Sequence, residues 1–546
     1  MLVFLKKTLA FEGLDEPRNR PVILWALLIA VLAMGIRGFF WSYTGRVWED
    51  TLITVLHSEN CAQGLGLTHH PSEPRVHGFT SPLGVLVPLM ADIVHVGWGI
   101  PFIKLVSILC GALSVFYVMA ISIHRRVQLA IPLAVMAMGF VAFEHHHVFF
   151  GMSGMGTQMA TLVLLMSFYY IIADRPVHLG ISLGLCMLAR PDSEIWTLIV
   201  GVYLLCLHPK RLLSVVPAAL CVYGPWVIFT TLYYGSPIPN TLIAKMLGYV
   251  QWWKDPNLTW SGAKRTLVDN LVYHVFAQTG PTHLGHAFQK GVFFWDKRVI
   301  SNAVVFLACV GAAAALFRRR WELAPPALFI LAYAVYYDLF VPVLFPWYFP
   351  PLTAATVLLC AFGLDAATSW IRAPLFRVIS LSVIAALYLT FIVSILPTTF
   401  RAEKAIQQTI ENDVRKRIGL YLNAVMKPEQ TLGCEPPGYV GYYSRRTVYN
   451  YPGMGSKKVT DFLRSHPDQR NMNGVFKHIR PDYLLLRPWE YDIMREAGDG
   501  AWIDDDYQLE RTSDVPRDAP QWLQDDYAAH FILLKKKPTQ AGEHGG

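Results

Sequence analysis

Eleven apolar runs of near-membrane length constrain this chain more than any other feature. A helix that crosses the hydrocarbon core needs about 20 mostly apolar residues. Windows of that kind fall at 21–40, 101–123, 129–147, 157–173, 177–190, 194–207, 212–233, 299–317, 323–343, 351–368 and 374–396. Only 16% of the 546 residues are charged, against roughly a quarter in soluble domains. The pattern predicts an α-helical polytopic membrane protein and excludes disordered, collagen-like and small disulfide-rich classes. The first run is too long, and too far from a small-residue cleavage site, to be a removable signal peptide.

Segment 82–99 is also apolar but holds Pro82, Asp92 and His95, and it is read as a re-entrant or surface helix. Charge supports that placement. With Lys6, Lys7, Arg18 and Arg20 inside, eleven spans put His124-Arg125-Arg126, His208-Pro209-Lys210-Arg211, Arg318-Arg319-Arg320 and Arg372 with Arg377 on the cytoplasmic side. A span at 82–99 would move Arg125 and Arg126 outside, against the positive-inside rule. The expectation is a cytoplasmic (inner) membrane protein, with 41–100, 148–156, 190–193, 234–298, 344–350 and everything after 397 on the outer face. The net charge of +8 sits largely in inner loops. With no basic stripe and no zinc-type cysteine spacing, nucleic acid is excluded as a partner. Cys61 and Cys434, the two cysteines in polar segments, leave a bridge open.

Residues 397–546 are charged and lack a span-length run. Strands are expected at 431–434, 447–451, 483–486 and 531–534, and helices at 403–426 and 456–466. The division is a transmembrane domain, 1–396, and a soluble α/β domain, 397–546.

The unusual polar motifs all sort to the outer face. Trp48, Leu52, Val55 and Leu56 form an apolar stripe for a helix lying on the membrane surface. Asp50 sits about 200° from Trp48 and points away from lipid, with Thr54 and His57 on its face. Asp50 is either a helix cap or a reactive carboxylate, with Glu49 beside it. Arg75-Val76-His77-Gly78-Phe79-Thr80-Ser81-Pro82 brings a cation, a histidine and two hydroxyls to a helix start, where anions or a simple cap are favoured. Glu144-His145-His146-His147 precedes Gly151-Met152-Ser153-Gly154-Met155-Gly156-Thr157. Three adjacent histidines cannot share a helix face, so no three-histidine metal site is expected, and His146 is taken as one ligand-facing donor. Arg190 either pairs with Asp192 or grips a phosphate. Gly235-Ser236-Pro237-Ile238-Pro239-Asn240-Thr241, followed by Lys245, is a rigid turn carrying an amide, a hydroxyl and an ammonium. Trp252 and Trp253 read as interfacial anchors or a sugar-stacking platform.

Glu49-Asp50, Thr80-Ser81-Pro82, Gly154-Met155, Arg190-Pro191-Asp192 and the Pro237-Ile238-Pro239-Asn240-Thr241 turn recur in the order seen in a known family. The chain resembles the GT-C glycosyltransferases, in particular bacterial arabinofuranosyltransferases such as the mycobacterial terminal arabinan transferase and the pseudomonad pilin enzyme. The resemblance covers about residues 20–245. It extends loosely to Gly438-Tyr439-Val440-Gly441-Tyr442-Tyr443-Ser444 and Arg480-Pro481-Asp482-Tyr483. Two departures are Asp192-Ser193, where the family often has an acidic residue before glycine, and Gly156-Thr157, where many relatives have Glu-Thr.

The resemblance implies a sugar, D-arabinofuranose, moved from a polyprenyl-phosphate donor to a hydroxyl of an extracytoplasmic glycan or pilin-type protein, with inversion. Asp50 would be the general base, supported by Glu49. Arg190, Lys245, Arg75 and His77 would hold the donor phosphate. His57, Thr80, Ser81, His146, Thr157, Asp192, Asn240 and Thr241 would line the substrate site, and no cofactor or metal is assigned. A lipid-substrate transporter and a non-catalytic envelope scaffold are the rival classes. Transporters place ionisable groups near the midplane and often repeat their topology, which this sequence does not.

Overall fold

Pro17–Thr44, Gly99–Ile123, Ile131–Met152, Pro209–Tyr234, Pro346–Thr368 and Pro374–Val425 are helices long and apolar enough to cross a membrane. They belong to a computed structural model that describes residues 6, 8–248, 297–339, 345–497 and 500–538. Four other expected spans form shorter apolar helices, Thr157–Ile172, Pro176–Ala189, Ser193–Leu207 and Ala303–Phe317. At 1.5 Å per residue, the 14 residues of Pro176–Ala189 reach about 21 Å, short of the roughly 30 Å core. The run expected at 323–343 forms Ala324–Leu339, next to residues that are not described.

The apolar segment 82–99 does not form one helix. Pro82–Asp92 starts with Ser81, whose hydroxyl accepts from the Gly84 N–H at 2.9 Å. It ends at Asp92, whose carboxylate accepts from the N–H groups of Gly97 and Gly99 and from Ser58 Oγ. The turn is therefore tied down before Gly99–Ile123 begins.

The expected span 129–147 breaks at Glu144. Ile131–Phe143 ends there, and Glu144 caps His145–Met152 by accepting from the His147 N–H at 3.1 Å. The cause lies inside the first span. Arg37 is fully buried and donates to the carbonyls of Ala142 (2.7 Å) and Val141 (3.1 Å), which a helix end leaves unpaired.

The stripe Trp48, Leu52, Val55 and Leu56 is buried, but protein covers it where a membrane surface was expected. Trp48 meets Phe149, Phe150 and Trp347 edge-on at 5.5–5.7 Å between centroids. Cys61 and Cys434 are free thiols, so the bridge does not form.

Five strands close the chain: β1 (Thr431–Cys434), β2 (Thr447–Asn450), β3 (Tyr483–Leu486), β4 (Tyr507–Asp514) and β5 (His530–Lys536). Their order is β2-β1-β3-β5-β4. β1 runs parallel to β2 and β3, while β5 runs antiparallel to β3 and β4. Ile410, Val414 and Ile418 recur every four residues and pack with Leu432, Leu485, Phe531 and Leu533 of the sheet. These three belong to one continuous helical path. Pro374–Ile406 runs through a π-helical stretch, Gln407–Lys416, into Arg417–Val425. The division expected at 396/397 falls inside its first part.

Candidate active site

The helix Glu49–Ala62 carries the acidic pair at its first two positions, and the glycine motif fixes where that helix starts. Ser153 offers its carbonyl to both the Trp48 N–H and Thr51 Oγ1, each at 2.9 Å. Gly154 adopts φ +93°, and a Cβ there would sit 2.5 Å from Thr51 Cγ2. Only glycine permits that backbone and that approach.

Glu49 is clamped from the far end of the chain. Its Oε1 accepts from the Gly438 N–H at 2.5 Å and its Oε2 pairs with Arg415 at 3.1 Å. Arg415 also binds Glu411 at 3.1 Å, and Glu411 binds Arg46 at 2.9 Å. Arg46 pairs in turn with Glu403 at 2.9 Å, and Tyr439 donates to the Val47 carbonyl at 2.9 Å. Burial pushes the Glu49 carboxyl well above the usual carboxylate range, and Arg415 pulls it part of the way back.

Asp50 behaves differently. Its side chain caps nothing, because the N-cap position belongs to Trp48 and receives no side-chain bond. It is half-buried, and its carboxylate makes no hydrogen bond among the described residues. Burial raises its proton affinity; Lys245 and Arg190 oppose that rise, and Glu435 adds to it. A carboxylate with raised proton affinity, an open coordination sphere and two nearby cations is suited to accept a proton beside a departing anion.

Arg190 is already engaged. Its guanidinium pairs with both oxygens of Asp192, at 2.8 and 3.2 Å, donates to the Trp347 carbonyl and lies 4.3 Å over Tyr348. Tyr333 donates to Asp192 at 2.7 Å. Asp192 therefore orients the cation. Lys245, on Asn240–Gly248, places its ammonium 4.9 Å over Phe345.

Several expected substrate contacts are taken by the protein itself. Ser81 is the helix cap described above, with Thr80 half-buried beside it. Asn240 receives from Thr460 and donates to the carbonyls of Gly453 and Met454, so it ties the membrane half to the tail. His57, at i+7 from Asp50 on the same helix, shares its face, but its ring is buried and its Nδ1 is bonded to the Ile53 carbonyl. His77 stacks on Tyr234 at 5.1 Å and 5°, with both ring nitrogens buried and unpaired. Arg75 is exposed over Tyr233 at 4.6 Å. Thr157 and Thr241 are buried with hydroxyls that lack a partner among the described residues. Trp252 and Trp253 lie outside the described residues.

His146 Nδ1 and His145 Nδ1 both approach Glu144, at 3.1 and 2.8 Å. Glu144, His145 and His146 bring one ligand atom each within 4.8 Å of one another, all buried, and this trio could hold a metal ion. The sequence argument considered only side chains along one helix face. The cap carboxylate gathers two of the imidazoles instead.

Arg415, Gly438 and Glu435 were missed in the sequence. Arg415 follows Glu411 at i+4, a spacing common on solvated helix faces, and nothing local marks its partner at position 49. Glu435-Pro436-Pro437-Gly438 reads as an ordinary turn.

The membrane half and tail together match solved structures over nearly the whole chain. ArnT from Cupriavidus metallidurans in the apo state aligns with a TM-score of 0.52 at 12% identity, covering 93% of this chain and 97% of that one. The archaeal oligosaccharyltransferase AglB from Archaeoglobus fulgidus, in complex with an inhibitory peptide and a dolichol-phosphate, aligns with a TM-score of 0.52 at 14% identity. That match covers 91% of this chain and 75% of the other. The chain has the GT-C fold. Among the described residues, six helices are long and apolar enough to cross a membrane, and they belong to that fold. A family model described as a domain of unknown function (DUF8728) matches residues 402–531, the helix and sheet region that clamps Glu49. No curated protein matches the sequence.

Proposed function

We propose that this GT-C chain is a glycosyltransferase that moves a sugar from a polyprenyl-phosphate donor to an acceptor hydroxyl on the extracytoplasmic side of the membrane. The observation that carries the reading is the Asp50 carboxylate, open to a ligand, with Lys245 and Arg190 close enough to oppose its raised proton affinity. The acceptor oxygen attacks the anomeric carbon, the carbon–phosphate oxygen bond breaks on the opposite face, and the hydroxyl proton passes to Asp50. Configuration inverts in this single displacement. Polyprenyl phosphate leaves with its charge facing Lys245 and Arg190, which stabilise it as it forms. Glu49, held by Gly438 and Arg415, fixes the start of the helix and so the position of Asp50.

A relative of the same fold is seen with a dolichol-phosphate, which supports a lipid-phosphate donor. D-arabinofuranose as the sugar, and a glycan or pilin-type protein as the acceptor, follow from the family resemblance. The outer-face placement of the tail follows from the loop charges. Purified wild-type protein should turn over a polyprenyl-phosphate arabinofuranose donor, and Asp50→Asn should lose about 10²–10⁴-fold in transfer rate while remaining folded. Near-normal turnover by Asp50→Asn would remove Asp50 from the chemistry.

A further inference from the structure

The strand order of the tail creates one crevice that the scheme above leaves unused. From β1 the chain moves outward to β2 on one side and then crosses to β3 on the other, so the order reverses between β1 and β3. In open α/β sheets, ligands bind outside the carboxyl ends of parallel strands at such a reversal. Here β1 ends at Cys434 and β3 at Leu486, and the next residues, Glu435 and Arg487, pair at 2.7 Å. Arg487 is 3% exposed and is held from behind by Glu490, also at 2.7 Å. Its guanidinium lies 5.0 Å from the Tyr527 ring and 5.7 Å from the Trp489 ring. Both rings remain open, Trp489 at 48% and Tyr527 at 55% exposure.

One side of this crevice adjoins Glu49, to which Gly438, three residues after Glu435, donates its N–H. Tyr527 and Asp526 line the same cavity as Glu49, Arg415 and Arg46, and Glu435 is close enough for its charge to act on Asp50. Carboxylates outnumber cations: Glu435, Glu490, Glu49, Glu411 and Asp526 stand against Arg487, Arg415 and Arg46. An anionic ligand is disfavoured there. A neutral polyol fits, with ring C–H faces on the aromatic rings and hydroxyls on the carboxylates.

We infer that the crevice between the ends of β1 and β3, formed by Glu435, Arg487, Trp489 and Tyr527, is a saccharide subsite that holds a neutral glycan acceptor beside Asp50. The inference rests on the transferase reading, and its test is kept separate by measuring binding rather than turnover. Full-length protein in nanodiscs is titrated with neutral arabinan- and galactan-derived tetrasaccharides, observed by saturation-transfer NMR. Wild-type protein should bind at least one of them. Trp489→Ala and Tyr527→Ala, both at exposed positions, should weaken that binding at least tenfold, and Trp489→Tyr should restore it to within about threefold. Three results overturn the subsite: no tetrasaccharide binding to wild type, unchanged affinity in the alanine variants, or a serine-rich peptide that binds through the same two rings while the sugars do not. Donor turnover by wild type, assayed in parallel, shows separately whether the transferase reading stands.

Discussion

The Gly438 N–H donates to Glu49 Oε1 across 389 positions of sequence. The carboxylate beside the candidate base is thus held by a residue of the tail, and the tail is part of the candidate site. A simple division of labour, with chemistry in the membrane half and recognition in the tail, does not describe this geometry.

Gly438→Ala tests the clamp. A Cβ at that position would collide with the Glu49 backbone carbonyl oxygen and crowd its carboxyl carbon at 2.7 Å. Backbone is the harder obstacle to move. The expected outcome is a more than tenfold loss in transfer rate with the fold retained, measured with the lipid donor and checked by thermal unfolding.

Arg415→Gln removes the cation that both Glu49 and Glu411 share. Glu411 keeps Arg46 as a partner, so the loss falls mainly on Glu49, read as a lower unfolding temperature. Because Arg415 lowers the proton affinity of Glu49, its loss lets Glu49 keep its proton to higher pH. The acid limb of the rate profile should therefore move upward, and Arg415→Lys should return it most of the way.

Asn240→Ala cuts the tether to the 453–460 segment. Three hydrogen bonds join that side chain to Gly453, Met454 and Thr460, each worth about 1 kcal/mol. A stability loss of about 2–3 kcal/mol is expected, with donor affinity little changed. Lys245→Met should show the opposite pattern, a loss of roughly 10² in rate with stability preserved. Equal effects on donor handling from both variants would place Asn240 back in the substrate site.

His77 is buried without a partner for either ring nitrogen among the described residues, and burial pushes its pKa down to about 3. The unfolded chain takes up that proton near pH 6.5, so stability from the neutral ring is full above about 6.5 and lost as pH falls toward 3. His77→Phe removes the penalty. The unfolding free energy of the variant relative to wild type should rise by about 2 kcal/mol between pH 7 and 5, measured by denaturation at both pH values. A pH-independent difference would mean that His77 finds a partner in solution.

What the sequence made legible follows from how local each signal is. Apolar runs at 101–123 and 351–368 became helices Gly99–Ile123 and Pro346–Thr368, because a run that long has few other ways to satisfy its backbone in lipid. Strands β1 and β3 were found because 431–434 and 483–486 are short apolar stretches bounded by turns. β4 was missed, since Tyr507–Asp514 (YQLERTSD) exposes most of its residues and reads as polar loop. Arg37 was hidden inside an apolar run, so the break at Glu144 that it stabilises could not be foreseen. The stripe from Trp48 to Leu56 was legible as one apolar helix face, but nothing in the spacing distinguishes a face laid on lipid from one covered by Phe149 and Trp347.

The unbroken helical path from Pro374 to Val425 makes the site sensitive to rotational phase. Arg415 reaches Glu49 from a rod anchored in the membrane half, and each residue of an α-helix turns that rod by about 100°. One residue added between the apolar part and Gln407 would swing Arg415, Gly438 and the β1 edge away from the acidic pair. Seven would bring the facing back to within about 20°, but displaced by roughly 10 Å. Length changes that most loops absorb would here act as a change of angle, so this junction can vary in composition far more freely than in register.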